Sequence, residues 1–182
     1  TSLKTLYMDG NELNSLPSQL FDMTWMRDLT LSNNNLSNLS PDIGDMTALR
    51  TLSLNKNKLE HLPDEICDLN NLETLEVDYN RLYDLPSNIG DHDITLLAAR
   101  NNRIDEIPAS IGNGHDMFLL NMMFNRLTSL PNSFDDISYD FCNIEFNFLD
   151  VAPGTAARTL INNTTGLVDW QRQLVPVSNL IA

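Results

Sequence analysis

The stretch LRTLSLNKNKLEHLPDEI, residues 49–66, decides how this chain folds. Leu52 and Leu54 are separated by one residue, so both side chains project from the same side of an extended segment. Asn57 follows Leu54 by three residues, and Pro63 follows that Asn by six. The pattern predicts a short strand, a turn at the Asn, and a return segment that starts near the Pro, because Pro has no N–H to give to a strand ladder.

This pattern occurs in seven units along the chain, with the Pro at its place in six of them and Ser40 in the other. The equivalent asparagines, 22 or 23 residues apart, are Asn11, Asn34, Asn57, Asn80, Asn102, Asn125 and Asn147. One unit cannot bury its apolar face alone, but stacked units bury a continuous column. Parallel strands about 4.8 Å apart on one side and bulkier return segments on the other make such a stack curve. We expect each Asn amide to point inward and to bond backbone groups of neighbouring coils.

The repeated line LxxLxLxxNxLxxLPxxI resembles the leucine-rich repeat family, in its form with 22–23-residue units and a Leu-Pro-x-x-Ile return. The resemblance covers roughly residues 1–153. It implies an α/β repeat solenoid: a right-handed horseshoe with a short-stranded parallel sheet on the concave face and turns, 3₁₀ pieces or short helical pieces on the convex face. We therefore predict seven leucine-rich repeats over residues 1–153 and a C-terminal cap or linker over residues 154–182. Leu3 begins a coil with no cap ahead of it, so the chain is expected to start inside a longer array.

The charge of the chain narrows the classes of partner. Lys and Arg number 11 against 25 Asp and Glu, which gives a net charge of −14. Such a chain repels phosphate backbones and anionic membrane surfaces, so nucleic acid is not expected as a partner. No apolar run approaches the ~20 residues of a membrane span, so no membrane insertion is expected. Cytoplasmic and cell-surface or secreted locations both stay open, as does the oligomeric state.

The sequence carries no recognisable catalytic or metal-binding motif. The sequence has no Gly-rich phosphate loop, no H-E-x-x-H and no nucleophile elbow. Cys142 takes an inward core position, and Cys67 has no His in its own unit. His92 has a carboxylate on each side, but it occupies a normally apolar core-edge position, so we expect it to pack there and not to serve a metal or acid–base site. We therefore predict no enzyme, no metal site and no cofactor.

A column of acidic residues stands eleven places after the asparagines. Its members are Asp22, Asp45, Asp68, Asp91, Asn113 and Asp136. One carboxylate per coil does not make a calcium loop, and Asp accepts hydrogen bonds from nearby backbone N–H groups. We expect these residues to cap the turn into the next strand.

The later units carry an apolar surface on the predicted concave face. Stacking places Leu96, Leu119 and Phe141 side by side, with the other apolar residues on the same flank. The predicted partner-binding residues are Leu96, Leu119, Met123, Phe124, Phe141 and Phe146, with Asp78 and Tyr79 at the polar edge. Contiguous exposed apolar patches often mark an interface. An alternative is that the C-terminal segment or a following domain folds over these residues, or that the register shifts in the degenerate units.

Three functions are consistent with this sequence. The resemblance implies a non-catalytic protein–protein recognition module that binds a protein or peptide on the concave sheet face. The alternative is a structural or surface-exposed domain of a larger secreted or cell-surface protein, such as a bacterial one. The repeats could also serve as the recognition part of an enzyme whose catalytic domain lies elsewhere.

Overall fold

The structure, a computed structural model, describes residues 3–114, 116–136 and 138–150. Within these residues, seven short strands alternate with six 3₁₀ helices. The strands are β1 (Thr5–Tyr7), β2 (Asp28–Thr30), β3 (Thr51–Ser53), β4 (Thr74–Glu76), β5 (Leu96–Ala98), β6 (Met117–Asn121) and β7 (Tyr139–Asn143). The 3₁₀ helices span Ser18–Leu20, Pro41–Asp45, Asp64–Asp68, Ile89–Asp91, Ala109–Asn113 and Asn132–Asp136. The predicted cap or linker, residues 154–182, lies outside the described residues.

The seven strands form one parallel sheet in sequence order, β1 to β7. Equivalent leucines stand opposite each other, so Leu52 of β3 pairs with Leu29 of β2 and Leu75 of β4. The sheet is open, and the 3₁₀ segments return the chain along its other side. This architecture confirms the predicted repeat solenoid.

The core is a stack of leucines between the sheet and the return segments. In the third unit, Leu49, Leu52, Leu54 and Leu59 have no solvent-exposed surface. Burying one such side chain contributes on the order of 1.5–3 kcal/mol. Because every unit supplies the same positions, the core runs continuously from coil to coil.

The asparagines recur at a regular spacing because each amide from the second unit onward bonds backbone groups of its own and the preceding coil, as predicted. In the third unit, Nδ2 of Asn57 donates to the carbonyl of Leu54, 3.0 Å away, and to that of Leu31 in the preceding coil, 2.9 Å away. Its Oδ1 accepts from the backbone N–H of Leu36, also in the preceding coil, at 3.0 Å. The same donor and acceptor pattern recurs at Asn34, Asn80, Asn102 and Asn125. The expected inward-pointing amide ladder is confirmed.

The carboxylates of the acidic column were expected to cap the turns into the next strands, but the hydrogen bonds at these turns are different. At Asp45 and Asp68 the backbone carbonyl, not the carboxylate, accepts from the N–H two residues later, at 2.9 Å in both cases. The carboxylate of Asp91 accepts instead from Nδ2 of Asn113 in the next coil, at 2.8 Å. Side chains of this column therefore link neighbouring coils where they form a hydrogen bond.

Candidate functional site

The residue before each repeat asparagine has a left-handed backbone conformation. Its φ is 55° at Tyr79, 56° at Phe124 and 55° at Phe146. The other members of this column, which we call the left-handed column, are Gly10, Asn33, Lys56 and Asn101, with φ between 54° and 69°. Gly and Asn adopt this conformation readily, whereas other L-residues lose about 1–2 kcal/mol. The turn after each strand requires it because the chain must leave the sheet and bring the following Asn inward.

Three bulky aromatic residues in this column are unusual. Tyr79 and Phe124 are each 42% exposed, so these strained backbone positions carry aromatic rings that solvent can reach. Strained backbone positions cluster at functional sites, which makes such rings candidates for a binding role. The left-handed column therefore singles out Tyr79, Phe124 and Phe146 among the predicted site residues.

The last two aromatic residues of the column form a stacked pair, which we call the rim pair. The ring centroids of Phe124 and Phe146 lie 4.2 Å apart, and the rings are 9° from parallel. The N–H of Phe124 donates to the carbonyl of Glu145 in the next coil, at 3.0 Å, which holds the two turns in line. The rim pair follows the carboxyl ends of β6 and β7.

A second apolar cluster lies on the strands themselves, and we call it the strand ladder. Leu96, Leu119 and Phe141 face one another across β5, β6 and β7, as predicted. Phe118 joins them, with its ring centroid 5.6 Å from that of Phe141 in an edge-to-face arrangement. Phe118 and Phe141 are 51% and 58% exposed, the most exposed phenylalanines in the described residues.

Sequence analysis missed Phe118, although the sequence carried a signal. Its column holds Lys4, Arg27, Arg50, Glu73 and Thr95 in the preceding units. A phenylalanine in an otherwise polar column is out of place for a solvated rim. The repeat alignment could therefore have identified it.

A polar strip separates the two apolar clusters. The sequence predicts all these apolar residues on one continuous flank, whereas the structure divides them. Asn121 and Asn143, opposite each other in β6 and β7, occupy the strip. Each side-chain oxygen accepts a backbone N–H two residues on, from Met123 at 3.2 Å and from Glu145 at 3.1 Å. Met123 lies beyond this strip, with its Sδ 3.9 Å from Nδ2 of Asn143. The concave face thus offers two apolar contacts with hydrogen-bonding groups between them.

The predicted polar edge is organised around Arg100, which the sequence analysis did not select. Oδ1 of Asp78 accepts from the N–H of Arg100 at 2.8 Å, and its Oδ2 lies 3.0 Å from Nε. That Nε is buried and has no aligned acceptor, so the second contact is one between charges. The guanidinium carbon of Arg100 lies 4.8 Å from the ring centroid of Tyr79. Asp78 therefore holds Arg100 in place beside the ring of Tyr79.

Burial also changes the acidity of Asp78. Desolvation raises the pKa of its carboxyl group, while the backbone hydrogen bond from Arg100 and the positive charge of that residue act in the opposite direction. The carboxylate is thus less well solvated than an exposed Asp, which fits a positioning role.

Part of the polar half of the concave face is hydrogen-bonded within the chain. Thr30 Oγ1 donates to Asp9 at 2.7 Å, and the hydroxyl groups of Ser32 and Ser53 lie 2.8 Å apart. These bonds join side chains of neighbouring coils.

The two cysteines do not supply a reactive thiolate. Burial raises the pKa of Cys67 to about 11, with Asp64 and Asp68 adding to the shift, and burial raises that of Cys142 to about 12. Both thiols are therefore protonated near neutral pH. In the described part of the chain, no three His, Cys, Asp or Glu side chains form a group able to hold a metal ion. None of the helices described there has the length and apolar character needed to cross a membrane.

The fold and its repeat spacing match known proteins. A leucine rich repeat family profile matches residues 27–82, and a second one matches residues 2–23. The chain is a leucine-rich repeat protein. The comparison with curated protein sequences gave no match.

Several solved leucine-rich repeat structures are similar to this chain. A leucine-rich repeat protein of Leptospira interrogans is 27% identical with a TM-score of 0.77, over 83% of this chain and 39% of that chain. The ectodomain of the Arabidopsis thaliana membrane receptor kinase GASSHO1/SCHENGEN3, solved in complex with Casparian strip integrity factor 2, is 32% identical with a TM-score of 0.75, over 81% of this chain and 19% of that chain. The plant peptide hormone receptor RGFR1, in complex with RGF2, shares the fold at 24% identity and a TM-score of 0.72, over 81% of this chain and 25% of that chain. This leucine-rich repeat chain thus spans less than half the length of each neighbour.

Proposed function

We propose that this leucine-rich repeat protein recognises a protein or peptide partner on the concave face of its sheet. The partner-binding surface comprises the strand ladder, the rim pair, Met123, and the Tyr79–Arg100 edge held by Asp78. The observation that carries this proposal is the left-handed column, where exposed aromatic rings are kept at a strained backbone position. The likeness to a receptor kinase ectodomain solved in complex with Casparian strip integrity factor 2 supports a recognition role.

The arrangement suits a polypeptide ligand. Aromatic side chains supply large, rigid contact area, and interface cores are enriched in them. Between the strand ladder and the rim pair, Asn121 and Asn143 offer amide groups to a peptide backbone. A polypeptide can place apolar side chains on both clusters and hydrogen-bond the strip between them.

A purely structural role, as a spacer or surface domain of a larger protein, explains the core equally well. It gives no reason for Phe118, Phe124 and Phe141 to be exposed together, since a spacer gains solubility from polar residues there. We therefore favour recognition, without catalysis by this chain.

The proposal is tested by selecting peptides from a random 12-residue display library on the immobilised protein. The test variant is F124S/F141S, which removes one ring from each apolar cluster. Its matched control is Y7S/W25S, which removes two exposed aromatic residues from the first two units. We expect selected peptides to bind the control as tightly as the wild type, and to lose at least tenfold in affinity for F124S/F141S.

Circular dichroism and thermal unfolding of both variants accompany the binding measurement. Because the substituted rings are exposed, the far-ultraviolet spectra should not change. Equal affinity of the selected peptides for F124S/F141S and wild type would exclude the apolar end as the binding surface. Unfolding of that variant would show instead that the rings belong to a packed interior.

A further inference from the structure

A column of four cations runs along one side of the solenoid. The residue after each repeat asparagine is Lys58, Arg81, Arg103 and Arg126 in the third to sixth units. Each of their backbone N–H groups donates to a carbonyl of the preceding coil at 2.8 Å, so the four occupy equivalent positions in consecutive coils. A chain with a net charge of −14 therefore collects four of its 11 Lys and Arg residues in one column. We call this column the basic ladder.

The basic ladder is accessible and largely uncommitted. Lys58, Arg81 and Arg126 are exposed, and none of them belongs to an ion pair among the described residues. Arg103 is partly buried; it donates to the hydroxyl group of Tyr83 at 2.7 Å and lies 5.5 Å from the centroid of that ring. Carboxylates occur near these cations in the sequence, yet no ion pair joins them to the ladder among the described residues.

The basic ladder adjoins the aromatic part of the binding surface. Tyr79 precedes Arg81 by two residues, and Phe124 precedes Arg126 by two. The buried asparagine lies between them in each case, so ring and cation emerge on either side of the same turn. At about 4.8 Å per coil, the four cations span about 14 Å, the length of four or five extended residues.

We infer that the partner presents an acidic polypeptide segment, whose carboxylates lie along the basic ladder while apolar side chains contact the rim pair. This inference rests on the proposed function and adds the charge of the ligand. In the fourth and sixth units a ring and a cation flank the same asparagine, Tyr79 with Arg81 and Phe124 with Arg126. This pairing fits a segment that mixes acidic and apolar residues.

A long polyanion such as a nucleic acid or a sulfated glycan fits this surface less well. Glu60, Asp84, Asp105 and Glu106 flank the ladder, and the net charge of the chain repels any polyanion that extends past it. The ladder also ends after four coils, where Asn35 and Phe148 take the equivalent positions. A short acidic segment can be accommodated where a long polyanion is repelled.

The inference is tested with the same 12-residue display library, by comparing two variants that change the net charge equally. The test variant is K58Q/R81Q/R126Q, which leaves the Arg103–Tyr83 contact intact. The matched control is K4Q/R27Q/R50Q, which removes three cations from another column; the Arg50–Glu73 pair lost there is exposed and contributes little. We expect peptides rich in Asp and Glu, with binding to the test variant weakened by about tenfold or more and binding to the control nearly unchanged.

Salt dependence and competitors complete the experiment. Affinity of the selected peptides should fall as NaCl rises from 50 to 500 mM, whereas a 12-residue oligonucleotide and a heparin oligosaccharide should not compete. Selection of neutral peptides, equal loss in both variants, or competition by the oligonucleotide or heparin would overturn the inference. If binding is lost in F124S/F141S but kept in K58Q/R81Q/R126Q, the proposed function stands and the acidic ligand falls. The converse result would retain an acidic segment on the basic ladder but reject its contact with the rim pair and, with it, the apolar end as a binding surface. A library that yields no binder rejects both proposals.

Discussion

Replacing Asn80 by Ala removes one rung of the amide ladder in the middle of the solenoid. Nδ2 of Asn80 donates to the carbonyls of Leu54 and Val77, at 2.9 and 3.1 Å. Its Oδ1 accepts from the N–H of Leu59 at 3.0 Å. The residue is only 9% exposed, so water cannot readily replace these bonds in the variant.

The expected loss of stability follows from these contacts. The two bonds that Asn80 donates contribute about 1 kcal/mol each, since both accepting carbonyls keep a second donor, in Asn57 and Asn102. The N–H of Leu59 is left buried without an acceptor, which costs about 1–3 kcal/mol. We therefore expect Asn80→Ala to lower the free energy of unfolding by about 3–5 kcal/mol, less any relief from local rearrangement.

The measurement is equilibrium urea unfolding, with Asn11→Ala as the matched control. Asn11 is exposed and its amide donates only to the carbonyls of Met8 and Asp9, within its own unit. The control should therefore lose less than about 1 kcal/mol. Equal losses in the two variants, or a loss below ~1 kcal/mol for Asn80→Ala, would refute the structural role assigned to the ladder.

Three further perturbations test other parts of the molecule. Lys56→Asn places a residue that tolerates positive φ at an exposed position with φ of 54°, so thermal unfolding should show a gain of about 0.5–1 kcal/mol; a loss of stability would contradict this. Cys67, with its pKa raised from 9.0 to about 11, should be alkylated by iodoacetamide at pH 8 about 100-fold more slowly in the folded protein than in urea. This difference should shrink as the pH approaches 11, and equal rates at pH 8 would exclude a buried thiol. Asp78→Asn keeps an acceptor for the N–H of Arg100 and removes a carboxylate whose pKa burial raises. Since a raised pKa means that the native state binds the proton more tightly than the unfolded state, the variant should gain stability relative to wild type at pH 7. The gain should begin to shrink as the pH falls through the pKa of Asp78 in the folded protein and should be lost below the pKa of this residue in the unfolded chain.

The repeat spacing was sufficient to predict the architecture because each unit repeats one physical requirement. Leu52 and Leu54 must face the core, and Asn57 must satisfy backbone groups of two coils at once. Those constraints fix both the strand and the turn within every unit. The parallel register and the buried positions therefore followed from counting residues.

The details of the site were less predictable, because they depend on backbone conformation at single positions. Nothing in the chemistry of Phe124 reveals that its φ is 56°. Gly10 and Asn33 at the equivalent positions did carry that information, since both residue types favour left-handed turns. The division of the apolar surface by Asn121 and Asn143 also required the side-chain directions on β6 and β7, which spacing alone left undetermined.

The contrast between core and rim explains where this protein can carry specificity. Each coil of a solenoid contacts its neighbours only, so the buried leucines and the amide ladder must repeat almost unchanged. A buried rung such as Asn80 is expected to contribute several kcal/mol, whereas a non-Gly residue in the left-handed column costs about 1–2 kcal/mol. The core of each coil therefore supports a strained residue at its rim, and that residue can vary from Gly10 to Phe146 without loss of the fold. The left-handed column and the basic ladder beside it are therefore the positions where the units of this leucine-rich repeat protein can differ from one another.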